Sequence, residues 1–187
     1  MLGTAFKEWA VICAAIARGR QALILRKGGI AEDGGAFRPE FPEFVLFPTY
    51  FHEHRTGIKP EALPLLAEVE AAKPPVGALR LTHFVRVEAV AHIGNLETAM
   101  NLDALHVWTP AVVEQRFHYR APGLFALAVR AFVLPEAADT ADKPEYAGCR
   151  TWVPLAEPLR TAGAAPVLSD AEFAKQMSAF RAVTGCA

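Results

Sequence analysis

Cysteine, serine and net charge are scarce in this 187-residue chain, and each scarcity removes a class of function. The three cysteines, Cys13, Cys149 and Cys186, are widely spaced and form no C-x-x-C pair. Neither a disulfide framework nor a thiolate zinc site is therefore expected, and the thiols are read as reduced. Serine occurs at Ser169 and Ser178 alone, with no Gly-x-Ser-x-Gly elbow, which speaks against a serine hydrolase. There is no Walker phosphate loop. The formal charge of −1 gives no general attraction to polyanions, so binding to nucleic acid would have to rest on a local patch. The apolar run near the start, AVICAAIA, is far shorter than the roughly 20 residues of a membrane span and does not resemble a signal peptide. The cytoplasm is the expected compartment. No internal repeat or low-complexity tract is evident.

What the chain does have is apolar content. Hydrophobic residues make up 52% and charged residues 21%, enough to offset the entropy of ordering a globular fold. The length predicts one domain over residues 1–187. Phe6, Trp9, Cys13 and Ile16 recur at helical spacing and predict a helix over Ala5–Ala17, stopped by Gly19. Gln21–Arg26 reads as a buried strand, followed by a glycine-rich loop and a second strand at Glu43–Phe47. Pro48 marks a strand end, an edge or a bulge. Pro60 opens a helix to about Ala72. In Arg80–Ala91, Leu81, His83, Val85, Val87 and Ala89 alternate with Arg80, Thr82, Arg86 and Glu88, so one face of that strand is expected to be wet. A short connection covers Leu96–Met100, and Thr109-Pro110 opens a helix to about Tyr119. Leu124–Leu134 is the best strand and is expected to be central. Ala137–Ala147 reads as a connector, Cys149–Val153 as a short strand, Pro158–Pro166 as a linker, and Ser169 or Asp170 to Val183 as a last helix burying Phe173, Met177 and Phe180. The fold class is α+β: a small mixed sheet or partly closed barrel with N-terminal, middle and C-terminal helices.

The densest set of binding groups lies between Arg18 and His54. Arg26 and Lys27 leave the first strand beside Gly28 and Gly29, where backbone N–H groups could approach a phosphate. The second strand runs on to Tyr50, His52 and His54. The His52-x-His54 pair offers two metal ligands on one side of an extended segment, but a site needs a third, and Glu40, Glu43, Glu53, His83 and His106 carry no recognised spacing. Glu40 and Glu43 precede a strand, yet the lysine of a magnesium nuclease is missing. His83, on an apolar face, reads as a core histidine. Among the aromatics, Trp9 is expected to be packed, whereas Tyr50 and Trp108 adjoin polar neighbours and could stack a base. Arg80, Arg86, Arg116 and Arg120 could make the local basic patch, or could pair with Glu88 and Glu114.

The runs AFKEWAVICAAIARGRQALILRKGGI and FVLFPTYFHEH, then HVWTP and YAGCRTWVPL, resemble the domain-of-unknown-function 1802 (DUF1802) family over most of the chain. That family is uncharacterised. Some members occur beside restriction-endonuclease-like domains, which implies an association with restriction or modification systems and brings no catalytic residues. A helix ending in glycine and a following strand ending in arginine is also similar to the opening of ASCH domains, whose motif is Gly-x-Lys-x-x-Glu-x-Arg. Gly19 and Arg26 fall at the matching spacing, while the family's lysine and glutamate positions are Gln21 and Ile24 here. This second resemblance implies a PUA-like mixed barrel of the kind that binds RNA or modified bases.

Together these readings predict a non-enzymatic, cofactor-free module that recognises nucleic acid or a nucleotide-like anion. Arg26, Lys27, Gly28, Gly29, Tyr50 and His52 are its expected binding residues. The alternatives are a metal-dependent nuclease or phosphoesterase subunit using His52 and His54, and a structural partner of a restriction-system protein.

Overall fold

The structure, a computed structural model, describes residues 1–27, 32–33, 36–37, 41–50, 55–148 and 151–186. The elements in chain order are β1 (Leu2–Trp9), α1 (Ala10–Ala17), β2 (Leu23–Arg26), β3 (Glu32–Asp33), β4 (Ala36–Phe37), β5 (Glu43–Thr49), α2 (Leu63–Ala71) and β6 (Ala78–Ile93), then α3 (Leu96–Asn101), α4 (Pro110–His118), β7 (Leu124–Ala141), β8 (Trp152–Leu159), β9 (Ala165–Pro166) and α5 (Asp170–Thr184). β3 and β4 pair with each other. The remaining strands form a mixed seven-stranded sheet in the order β2-β7-β6-β5-β1-β8, with β9 added to β7. It is not closed into a barrel. Among the described residues, no helix is long and apolar enough to cross a membrane.

The first correction falls on the opening segment. Residues 2–9 are a strand, and the helix begins only at Ala10. β1 runs parallel to β5 on one side and antiparallel to β8 on the other, so its backbone groups find partners without a helix. Both of its faces are covered: Ala5 belongs to a smaller core with Val45, Phe47, Leu81, Phe84 and Val153. Phe6 belongs to the main core with α1, β2, β7 and α5. α1 is buried on nearly all sides, as Ala10, Val11, Ile12, Cys13, Ala15 and Ile16 show, and so has no polar stripe. Gly19 ends it as expected. Its φ of +66° lets Gly19 N–H reach the Ile16 carbonyl at 3.0 Å and Arg20 N–H the Ala15 carbonyl at 2.9 Å, a Schellman cap.

Leu96–Met100 is also not a mere connection: it lies in α3, whose Asn95 side chain accepts a hydrogen bond from Glu97 N–H at 2.7 Å. β6 departs from the simple alternation as well. A bulge between Leu81 and His83 resets its phase, so that Leu81 and Phe84 pack in the smaller core while Val85 packs in the main one. The expected wet face is therefore covered along part of its length. β7 is interior, between β2 and β6, and extends through Ala141 into what the sequence marks as a connector. β5 continues through Pro48. Its pairing with β6 ends at Val45, and beyond that it is laddered to β1 alone, so the missing proline N–H leaves no gap on the β6 side. α5 opens with a capping box between Ser169 and Glu172 and buries Phe173, Met177 and Phe180.

Candidate functional site

β1 and β5 run parallel and finish together at Trp9 and Thr49. At that end of the sheet a cleft of about 760 Å³ opens. β1 supplies Lys7, Glu8 and Trp9, β5 and the residue after it Thr49 and Tyr50, β2 Arg26, and α4 Arg116. The 73–77 turn and the 142–148 segment complete the rim.

The floor is charged. Glu8 is only 2% exposed. Its Oε1 accepts a hydrogen bond from Trp9 N–H at 2.8 Å, and its Oε2 lies 3.8 Å from Arg26 Nη2 with no hydrogen bond of its own. Arg26 also donates to the Lys7 carbonyl, and its guanidinium lies 4.3 Å from the centroid of the Phe6 ring. That ring is held by Phe44 and Trp152, with centroids at 4.7 and 4.8 Å. β2 and β1 are not hydrogen-bonded neighbours in the sheet, so the Arg26 side chain spans a gap the backbone leaves open.

Arg116 reaches the same place from the last turn of α4. Its Nη1 donates to the Leu25 carbonyl at 3.2 Å, and its guanidinium sits 5.0 Å from the Trp9 ring and 4.7 Å from the Trp108 ring. Burial holds this guanidinium below the ordinary arginine value; nearby Glu8 opposes that shift and Arg26 adds to it. Arginine stays charged through such a shift. Higher on the walls, Lys73 Nζ lies 5.1 Å from the Tyr50 ring. Lys7 donates to the carbonyls of Tyr146 and Gly148. Among the described residues, five cationic side chains (Lys7, Arg26, Lys73, Arg116, Lys143) thus line the cleft against two acidic ones, Glu8 and Asp142. The balance of these residues is positive in a chain whose formal charge is −1.

Of the residues expected from sequence to bind, Arg26 and Tyr50 meet in this cleft. Lys27 does not line it. Its ammonium donates to the carbonyl of Phe117 in the last turn of α4 and to that of Gly123 beyond it, each at 2.7 Å, and also to the Ala121 carbonyl. The Phe117 oxygen belongs to the last turn of α4 and also accepts from Gly123 N–H at 3.1 Å, so Lys27 ties the end of that helix to the segment that follows it. Gly28, Gly29, His52 and His54 lie outside the described residues, and with them the metal alternative. Among the described residues no group of His, Cys, Asp and Glu is gathered as a metal site.

The other single-residue expectations divide: Trp9 packs against the main core as expected and Arg86 takes one of its two alternatives, whereas Trp108 and Arg80 depart from theirs. Trp9 stands on a strand and lines the cleft, half-buried, and Trp108 is fully buried. Arg86 pairs with Glu88 at 2.8 Å and Arg80 with Asp139 at 2.6 Å, both on the surface. Arg120 lies past α4 with its guanidinium 5.2 Å from the Tyr119 ring. Glu8 was not legible as a site residue. The one signal for it is a charge set between Phe6 and Trp9 in an otherwise apolar stretch.

The solved structures similar to this chain include ASCH from Zymomonas mobilis, at 12% identity, covering 94% of this chain and 93% of that one, with a TM-score of 0.49. A serine-to-alanine mutant of that protein matches at 11% identity, 94% coverage of each chain and a TM-score of 0.48. No curated protein matches the chain. The model of the family described as domain of unknown function (DUF1802) matches residues 5–179, and the chain belongs to that family.

Proposed function

We propose that this protein is a binding module for nucleic acid or a nucleotide-like anion, and that the cleft at the ends of β1 and β5 holds the ligand. The observation that carries this reading is the convergence of Arg26 and Arg116 on one half-enclosed floor, with lysines and the Trp9 and Tyr50 rings above them. Guanidinium groups already fixed by carbonyls and aromatic faces lose little freedom on meeting a phosphate. Tyr50 supplies a face on which a base can stack. Lys7, Lys73 and Lys143 raise the local concentration of anions and carry the salt dependence of binding. Glu8 keeps the two arginines from repelling each other before the ligand arrives.

Fluorescence anisotropy with labelled duplex DNA, base-modified duplex DNA and single-stranded RNA, at low and moderate salt, tests this reading. Saturable binding that weakens with salt and is lost in Arg26→Ala supports it. An affinity unchanged by Arg26→Ala sinks the assignment of the site. Association with a restriction-modification system is a further proposal that rests on the family resemblance, and co-purification of a partner protein is its test.

A further inference from the structure

The cleft is one of two hollows that meet at a common wall. Pro48, Tyr50 and Pro74 line both of them. On the far side of the wall lies a cavity of about 210 Å³, lined on one side by α1 and on the other by Arg80, Thr82 and His83 of β6. This volume falls below the roughly 300–1,000 Å³ of a self-sufficient ligand pocket, and suits one base or one sugar.

The chemistry of the second cavity continues that of the first. Arg18 and Arg80 stand at its edge, and no carboxylate is among its described lining residues. Both arginines are held in surface ion pairs, Arg18 with Glu68 and Arg80 with Asp139, whose side chains are 46% and 55%, and 55% and 66%, exposed. Exposed pairs contribute little energy, so a phosphate can take the place of either carboxylate. His83 Nδ1 lies 2.8 Å from Thr82 Oγ1, which fixes the orientation of the imidazole. Burial holds that ring below its ordinary value, leaving it neutral near pH 7 and able to hydrogen-bond a base edge or a ribose hydroxyl.

We infer that the ligand is a single-stranded nucleic acid of at least two nucleotides that crosses the Pro48–Tyr50 ridge, with one unit in the Arg26 cleft and its neighbour in the Arg80–His83 cavity. Tyr50, which lines both hollows, is the platform between the two units. A duplex keeps its bases stacked on one another and cannot divide them across such a ridge. The inference rests on the reading of the cleft as an anion site and adds the length and strandedness of what it binds.

Competition against a labelled single-stranded hexanucleotide tests it, using unlabelled mono-, di- and tetranucleotides and a duplex of the same sequence. The expected result is a gain of about tenfold or more from mono- to dinucleotide, as one more stacked base provides. Arg80→Ala and His83→Ala are expected to weaken the tetranucleotide several-fold and leave the mononucleotide unchanged, whereas Arg26→Ala weakens both. A mononucleotide that competes as well as the tetranucleotide, a duplex that competes better than the single strand, or an Arg80→Ala/His83→Ala double variant with unchanged tetranucleotide affinity overturns the inference and leaves the anion site standing. Failure of every nucleotide and strand to bind overturns both.

Discussion

Glu8 and Arg26 face each other at 3.8 Å at the point where β2 comes back to β1 without backbone pairing. The carboxylate is buried and only one of its oxygens is hydrogen-bonded, so it is held there by positive charge. Removing the charge in Glu8→Gln leaves Arg26 and Arg116 without their counterion. A loss of about 1–3 kcal/mol is expected, below the 3–5 kcal/mol of a tightly paired buried bridge because this pair is long. A phosphate-bearing ligand restores the missing negative charge. Its stabilising effect, read as the rise in Tm on adding a saturating oligonucleotide, is therefore expected to be larger in Glu8→Gln than in the parent protein. An equal or smaller rise refutes the counterion role.

Neighbouring cations are expected to separate cleanly. Arg26 lines the cleft, and Lys27 ties the end of α4 at Phe117 to Ala121 and Gly123 through three carbonyls. Lys27→Met removes charged hydrogen bonds and should cost about 2 kcal/mol in urea unfolding, with ligand affinity retained. Arg26→Ala should do the reverse in emphasis, abolishing most binding. If Lys27→Met loses binding as fully as Arg26→Ala without a loss of stability, this assignment of Lys27 is wrong.

The elements legible in the sequence are those whose determinants are local. Ser169 and Glu172 announce α5, Thr109-Pro110 announces α4, and the apolar run from Leu124 announces β7. β1 was hidden because Phe6 and Trp9 continue, at helical spacing, the apolar residues of α1. What makes residues 2–9 a strand is the presence of β5 and β8 on either side, some 40 and 150 residues away in the chain. A bulge at Leu81/His83 defeats any strict count of period two. The site divides in the same way. Arg26 and Tyr50 lie in one conspicuous stretch, but Glu8 precedes it and Arg116 comes 90 residues after Arg26, and only the closing of the sheet end brings the four together.

Gly19 is expected to be intolerant of a side chain for two reasons at once. Its φ is +66°, and a Cβ there would lie 2.4 Å from Leu168 Cδ2. The backbone strain alone costs about 1 kcal/mol, and displacing Leu168 adds to it. Gly19→Ala should lower stability by about 1–3 kcal/mol in denaturant unfolding. A neutral result would mean that the Schellman cap contributes nothing to holding α1 against β2.

His106 gives the fold a pH dependence whose sign can be worked out. The ring is 4% exposed and lies 5.4 Å from the Trp108 ring. Burial, helped by the Lys59 ammonium and opposed by Asp103, lowers its pKa from 6.5 to about 4. The folded value lies below the unfolded one, so between them the unfolded chain binds the proton and the folded chain does not. Stability is complete above about pH 6.5 and falls as the pH drops toward 4, by up to about 3 kcal/mol. His83, also lowered by burial, acts in the same direction. The lowered carboxylates Glu68 and Glu172 lose their contribution only below the ordinary value of 4.5, so of these four groups His83 and His106 act in the window from pH 6.5 to 4.5. Urea unfolding across that window is expected to show a falling midpoint in the parent protein and a much flatter one in His106→Phe, which keeps an aromatic ring beside Trp108. An equal slope in both proteins would show that His106 takes up its proton in the folded state as readily as in the unfolded one.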